Sequence, residues 1–371
     1  MFLTRRRCLS VAALSLVACS PKKGTGYPGY VLIATSGDTT LAVVDLLSFK
    51  LLDPILLDAS PTAVMAGGNQ HSYVLTPASG SVHVIDSSLK RVASGKFSDE
   101  LSALLLSPDG RNLLAISATS REFIVAEAAS LAVLHRYKLR SEPISLDVNV
   151  AGDVAIGLRG APNLVFFRRG VAGREAAVDG EPGSIRFRRD GKALIVAKPA
   201  AHSLSILTVP NMQLMADLPL AMQPDNLCFN ADGGQLFVTG DGMDAVAIVF
   251  PYQTLEVEQT ILAGRSPGVM ACSNAPPYFL FVASSDGSDL SILDIETRRV
   301  VGIVGVGLRP SFIAITPDNQ YALILNRGSN DMAVIRITAI RPSYQKKNGV
   351  ALYTMLPVGT TPVHAAVINR V

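Results

Sequence analysis

Arg309-Pro310-Ser311-Phe312-Ile313-Ala314-Ile315-Thr316-Pro317-Asp318 is the stretch on which the fold turns, because the chain repeats its pattern. Leu101-Ser102-Ala103-Leu104-Leu105-Leu106-Ser107-Pro108-Asp109-Gly110 follows the same plan, and so does Pro224-Asp225-Asn226-Leu227-Cys228-Phe229-Asn230-Ala231-Asp232-Gly233. Each is an apolar strand that ends in a polar turn built on Asp. A second strand follows each turn, as in Tyr321-Ala322-Leu323-Ile324-Leu325 or Gln235-Leu236-Phe237-Val238-Thr239. A third ends near Asp, as in Ser81-Val82-His83-Val84-Ile85-Asp86 or Leu290-Ser291-Ile292-Leu293-Asp294, and Arg299-Val300-Val301-Gly302-Ile303-Val304 shows a fourth.

The unit starts at Pro61, Leu101, Pro143, Pro182, Pro224, Pro267, Pro310 and Pro362. Successive starts lie 39 to 43 residues apart, except for a last interval of 52. Four short strands per unit, with turn residues at each joint, predict the blades of an all-β, closed β-propeller with antiparallel blades. Residues 30 to 59 hold a second, third and fourth strand but no first, while Pro362 to Val371 holds a first strand alone. Together they predict one composite blade in which the C-terminal strand closes the ring and removes a free sheet edge. Eight blades over residues 30–371 need about 43 residues each, whereas the alternative of seven needs about 49, so the spacing favours eight.

Ser107-Pro108-Asp109-Gly110, Thr316-Pro317-Asp318 and Val84-Ile85-Asp86 resemble the YVTN-type β-propeller repeat, and the resemblance covers residues 30–371. It implies the fold and leaves the activity open, since that family includes surface proteins, lactonase-like enzymes and haem-d1 nitrite reductase domains.

The N-terminus predicts an address. Arg5-Arg6-Arg7 precedes a short apolar run from Cys8 to Ala18, which is a signal-peptide pattern and too short to span a membrane. Leu16-Val17-Ala18-Cys19 resembles a bacterial lipobox, which implies cleavage after residue 18 and lipid on Cys19. Thr4-Arg5-Arg6 also resembles a twin-arginine signal, so export by either the Sec or the twin-arginine route stays open. Residues 19–29 read as a flexible tether. The expected place is the cell envelope, with the protein held through the Cys19 lipid on the outer membrane and facing the periplasm. The 371 residues carry 33 basic and 30 acidic side chains; without Arg5, Arg6 and Arg7 the two signs balance at 30 each. That balance excludes a basic nucleic-acid binder.

In a blade of this order the loops between second and third strands share a rim with the blade-to-blade loops. Arg265 and Arg309 each stand just before a unit start in adjacent blades, and Arg327 lies in the next inner-blade loop. Three guanidinium forks near one mouth suit a small anionic ligand; Asp286, Asp289 and Asp331 are the acids that would neutralise them. Asp147 and Arg186 fall four residues after their unit starts in neighbouring blades, where the other blades carry apolar or small residues, and are expected to form an ion pair. His202 is the rim histidine an enzyme would use, whereas His83 and His364 read as structural. Cys228 and Cys272 fall four and five residues after their starts, which predicts opposite faces, no disulfide and a role as small core residues. No H-x-x-x-H or C-x-x-C-H spacing occurs, so no metal and no cofactor are expected. The resulting expectation is a binding or scaffold module without catalysis, for a protein, glycan or small ligand, with a lactonase-like hydrolase as the alternative.

Overall fold

In the computed structural model, the described residues are 26–370 except 69, 161–162, 170–173, 253–255 and 342–350. The signal segment and Cys19 lie outside them. Among the described residues no helix is long and apolar enough to cross a membrane.

The described residues form eight antiparallel blades arranged in a ring. Blade 1 is composite. Its innermost strand is Pro362–Asn369, paired with Gly29–Thr35 so that Leu32 faces Ala366 and Tyr30 faces Ile368. Thr40–Asp45 follows, and Lys50–Leu51 and Ile55–Leu56 share the outer edge. The closure tightens at its end: Arg370 N donates to Pro28 O, and the Tyr27 hydroxyl bonds Asn369. Tyr27 is buried in the core, so the packed body begins inside the segment expected to be a tether.

The innermost strands of the other seven units each start within three residues of the predicted places. These strands are Ala63–Ala66, Ala103–Leu106, Pro143–Val148, Ile185–Phe187, Gln223–Phe229, Pro267–Cys272 and Pro310–Ile315, in blades 2 to 8. Blade 4 has an outer strand of only two residues, Glu175–Ala176. The long unit ending blade 8 contains the turn Ile337–Ala339; the expected insertion around residues 340–350 lies almost wholly outside the described residues.

The recurrent Asp residues are explained by their hydrogen bonds. Asp109 Oδ1 accepts from Ser107 Oγ at 2.6 Å and from Arg111 N at 3.1 Å, and Asp318 repeats this with Thr316 and Gln320. The Ser107 hydroxyl and the Arg111 amide hold the Asp109 carboxyl below its usual range. After the third strands, Asp45 and Asp86 accept from the amides two residues on. A short side chain that satisfies turn amides is what makes Asp recur at these joints.

The core is laminar. Buried apolar residues separate into eight layers, each between two adjacent blades. The second and third strands are buried on both faces, which is why they read as continuous apolar runs such as Phe279–Ser284 (FLFVAS). A blade thus packs one face on its predecessor and the other on its successor.

Candidate functional site

The innermost strands wall a central channel, and each presents backbone groups with no further strand beside them. Side chains of neighbouring blades satisfy several of these. Asp147 Oδ2 accepts from Phe187 N at 2.7 Å between blades 4 and 5, and Thr239 Oγ1 donates to Gly268 O at 2.7 Å between blades 6 and 7. Ser311 Oγ donates to Pro362 O at 2.7 Å between blades 8 and 1, and Val64 N donates to His364 Nδ1 at 3.4 Å between blades 1 and 2.

Asp147 does a second thing. Its Oδ1 accepts from Arg186 Nη1 at 3.2 Å. The two ends differ: the Asp147 side chain is 13% exposed and the Arg186 side chain 50%. Burial pushes the Asp147 carboxyl up, against the pull of Arg186 and the Phe187 amide. The carboxylate is therefore set into the wall while the guanidinium stands in the channel with donors to spare. Arg186 lines a cavity of about 330 Å³ with Ser145, Ser184, Asn226 and Cys228, facing Met270 and Phe312. A wider cleft of about 760 Å³ lies between blades 3 and 4, beside the short outer edge of blade 4, with exposed Leu134 and Val150 in its lining. Asp109, His135 and Arg169 line that cleft between two blades, whereas the channel cavity gathers side chains from five blades around Arg186, and the channel is the better candidate site.

The two cysteines carry no disulfide and pack in the core, as expected, but opposite faces do not keep them apart. Cys228 Sγ and Cys272 Sγ lie 3.7 Å apart, both as free thiols. Residues on opposite faces of neighbouring blades are the ones that meet, because the successor face of one blade packs on the predecessor face of the next. Both belong to the layer between blades 6 and 7.

On the rim, the two loop types do join. Ser285 N donates to Ser266 O at 2.8 Å, and Arg309 N to Gly287 O at 2.9 Å. Arg327 N donates to Arg309 O at 3.1 Å, so these two residues are adjacent, while Arg265 holds the Ser284 hydroxyl through its carbonyl one blade away. All three arginines are exposed, and among the described residues none makes an ion pair. Of the acids expected to neutralise them, Asp331 accepts from Asn326 Nδ2 at 2.7 Å. Arg309 has φ of 51°, in the left-handed region, as do Ser266 and Thr361 at the equivalent positions. His202 is likewise left-handed and exposed, and among the described residues its imidazole has no hydrogen-bond partner.

His83 is fully buried, with Nε2 2.8 Å from Asp58 Oδ1 and 3.1 Å from Thr76 Oγ1. His364 stacks on Phe312 with ring centroids 4.2 Å apart, and burial lowers its pKa to about 4. Sequence reasoning missed Lys198. It is 3% exposed and its Nζ lies 2.8 Å from Asp217 Oδ1, with Ser205 Oγ donating to the same oxygen at 2.9 Å. The signal was there: it ends a second strand where blades 2, 3, 7 and 8 carry Thr76, Ser117, Ser284 and Asn326. Among the described residues no three His, Cys, Asp or Glu side chains gather as metal ligands would.

No family model matches the chain. The seven-bladed beta-propeller protein Rv1057 of Mycobacterium tuberculosis is 29% identical over 116 residues, which is 30% of this chain and 29% of that protein's length. Among solved structures, dihydro-heme d1 dehydrogenase NirN in complex with DHE superposes with a TM-score of 0.76 at 16% identity, covering 94% of this chain and 78% of that one. Apo AztD from Citrobacter koseri gives 0.69 at 11% identity, covering 92% and 98%. At such identities the structural likeness establishes the propeller and nothing of its chemistry.

Proposed function

We propose that the protein is a lipid-anchored propeller of the cell envelope that binds a small anionic ligand at its channel mouth, as a binding module without catalysis. One observation carries the reading: among the described residues, the exposed guanidinium groups of Arg265, Arg309 and Arg327 have no carboxylate partners, on the rim of a channel that holds a further half-exposed arginine, Arg186. The chain without its first eighteen residues is electrically balanced, so the placing of these arginines is an arrangement and not a reflection of bulk charge. Guanidinium forks favour carboxylates and phosphates over neutral ligands. Leu16-Val17-Ala18-Cys19 supports the anchor.

Calorimetric titration with a panel of small carboxylates and phosphate esters tests the reading. A ligand from the panel is expected to bind, and the double variant Arg309→Gln with Arg327→Gln is expected to lose about tenfold or more in affinity, the size of one charge-assisted contact. Equal affinity in the variant would sink the rim site. Incorporation of labelled fatty acid, abolished by Cys19→Ala, tests the anchor. A lactone panel tests the hydrolase alternative. Among the described residues His202, the rim imidazole, has no hydrogen-bonded acid to make it a base, and no turnover is expected.

A further inference from the structure

We propose that Cys228 and Cys272 form a dithiol site on the channel wall that reacts by thiol–disulfide exchange with a disulfide-bearing molecule entering the cavity. The site goes beyond the anion-binding reading and stands or falls without it. The thiols sit on the innermost strands of two different blades with their sulfurs 3.7 Å apart, already in contact. A bond of about 2.05 Å requires only that the two side chains close the remaining gap.

The two sulfurs are not equivalent. Cys228 lines the 330 Å³ cavity, whereas Cys272 lies behind it in the blade 6–7 layer, 9% exposed. A hydrogen bond from Cys272 and the positive charge of Arg186 favour the Cys228 thiolate. Pairing with Cys228 and burial keep Cys272 protonated. A more readily ionised thiol lining the cavity, with a more buried thiol behind it, is the arrangement of an attacking and a resolving cysteine.

The chemistry balances without an added cofactor. The Cys228 thiolate attacks one sulfur of the incoming disulfide, forms a mixed disulfide and expels a thiolate. Cys272 then gives its proton to solvent or to the departing sulfur and attacks Cys228 Sγ, expelling the second half. Two protein thiols become one disulfide, two electrons pass to the incoming molecule, and it leaves as two thiols.

The test is peptide mapping of the full chain after exposure to glutathione disulfide or to dithiothreitol, with free thiols then alkylated. Trypsin cleavage after Arg265 separates the two cysteines, so a bond between them is seen directly and is not confused with Cys8 or Cys19. The expected result is a linked Cys228–Cys272 peptide pair after oxidation, alkylated singly after reduction, and a melting temperature higher in the oxidised form because the cross-link restricts the unfolded chain. Cys272→Ser should trap a glutathione adduct on Cys228. Cys228→Ser should slow adduct formation on Cys272 about tenfold or more. Recovery of both cysteines alkylated after oxidant treatment would overturn the proposal, and so would equal reaction at Cys272 in the Cys228→Ser protein. The wild-type map stands even where a variant fails to fold.

Discussion

Two arcs of the same channel wall use one structural position for different ends. In blades 8, 1 and 2 the residue four after the unit start is Ala314, Ala366 or Met65, and the wall is stitched by Ser311 and by neutral His364. In blades 4, 5 and 6 the same position is Asp147, Arg186 and Cys228, with Cys272 beside it in blade 7. Both arcs satisfy the inner-edge backbone. Only the second does so with a charge, and that charge needs a counter-ion which then projects into the cavity. The repeat supplies a register, and departures from it at one level of the ring mark the chemistry.

The largest expected effect comes from breaking the apolar arc at its closure. Truncation after Thr361 removes the innermost strand of blade 1, strips the inner edge from Gly29–Thr35 and opens two apolar layers. That loss exceeds the roughly 5–15 kcal/mol by which domains are stable. The truncated chain should show no cooperative melt by circular dichroism; a native-like transition would mean the ring does not depend on this strand.

The next effect is a pH dependence carried by the same arc. His364 takes a proton at about pH 4 in the folded protein and near 6.5 when unfolded. Between those values the unfolded chain binds the proton and the native one does not, so stability is full above pH 6.5 and falls as pH drops toward 4. His83 is shifted in the same direction, chiefly by burial. The His364 share amounts to about 3 kcal/mol at most. Denaturant titrations from pH 7 to 4 should lose much of this slope in His364→Gln, and an unchanged slope would assign it elsewhere.

How legible these arcs are in the sequence differs by physical cause. The closure was legible because each blade's strands are local and the missing strand appears at the other end of the chain. The Asp turns were legible because their hydrogen bonds span two to five residues. The meeting of Cys228 with Cys272 was not, since parity within a sheet says nothing until successor and predecessor faces are laid together. Lys198 escaped notice because its partner Asp217 sits on the fourth strand, across a pairing the alternation alone does not register.

On the polar arc, removing either end of the Asp147–Arg186 pair should cost unequally. Arg186→Met leaves a carboxylate in the wall with only backbone donors, at about 2 kcal/mol, below the 3–5 of a fully buried pair because Arg186 is half exposed. Asp147→Asn leaves a cation already facing water and keeps an acceptor for Phe187 N, at about 1 kcal/mol. The double variant should cost less than the two together, and strict additivity would mean the groups do not interact.

The smallest effect on stability is expected where the functional effect is largest. Arg309 holds a left-handed backbone, φ 51°, which disfavours a side chain by about 1 kcal/mol. Arg309→Gly removes that cost, yet it frees the unfolded chain by a similar amount, so the melting temperature should stay within a few degrees of the parent. The backbone bonds from Arg309 N to Gly287 O and from Arg327 N to Arg309 O need no side chain and should persist, leaving the rim in place. Anion affinity should nonetheless fall about tenfold, because the guanidinium is gone. A protein that loses affinity and stability together would make Arg309 a structural residue of the rim. One that loses affinity alone shows that blade 8 of the apolar arc divides its work by level: its innermost strand helps hold the ring shut, and its rim loops are free to vary with the ligand.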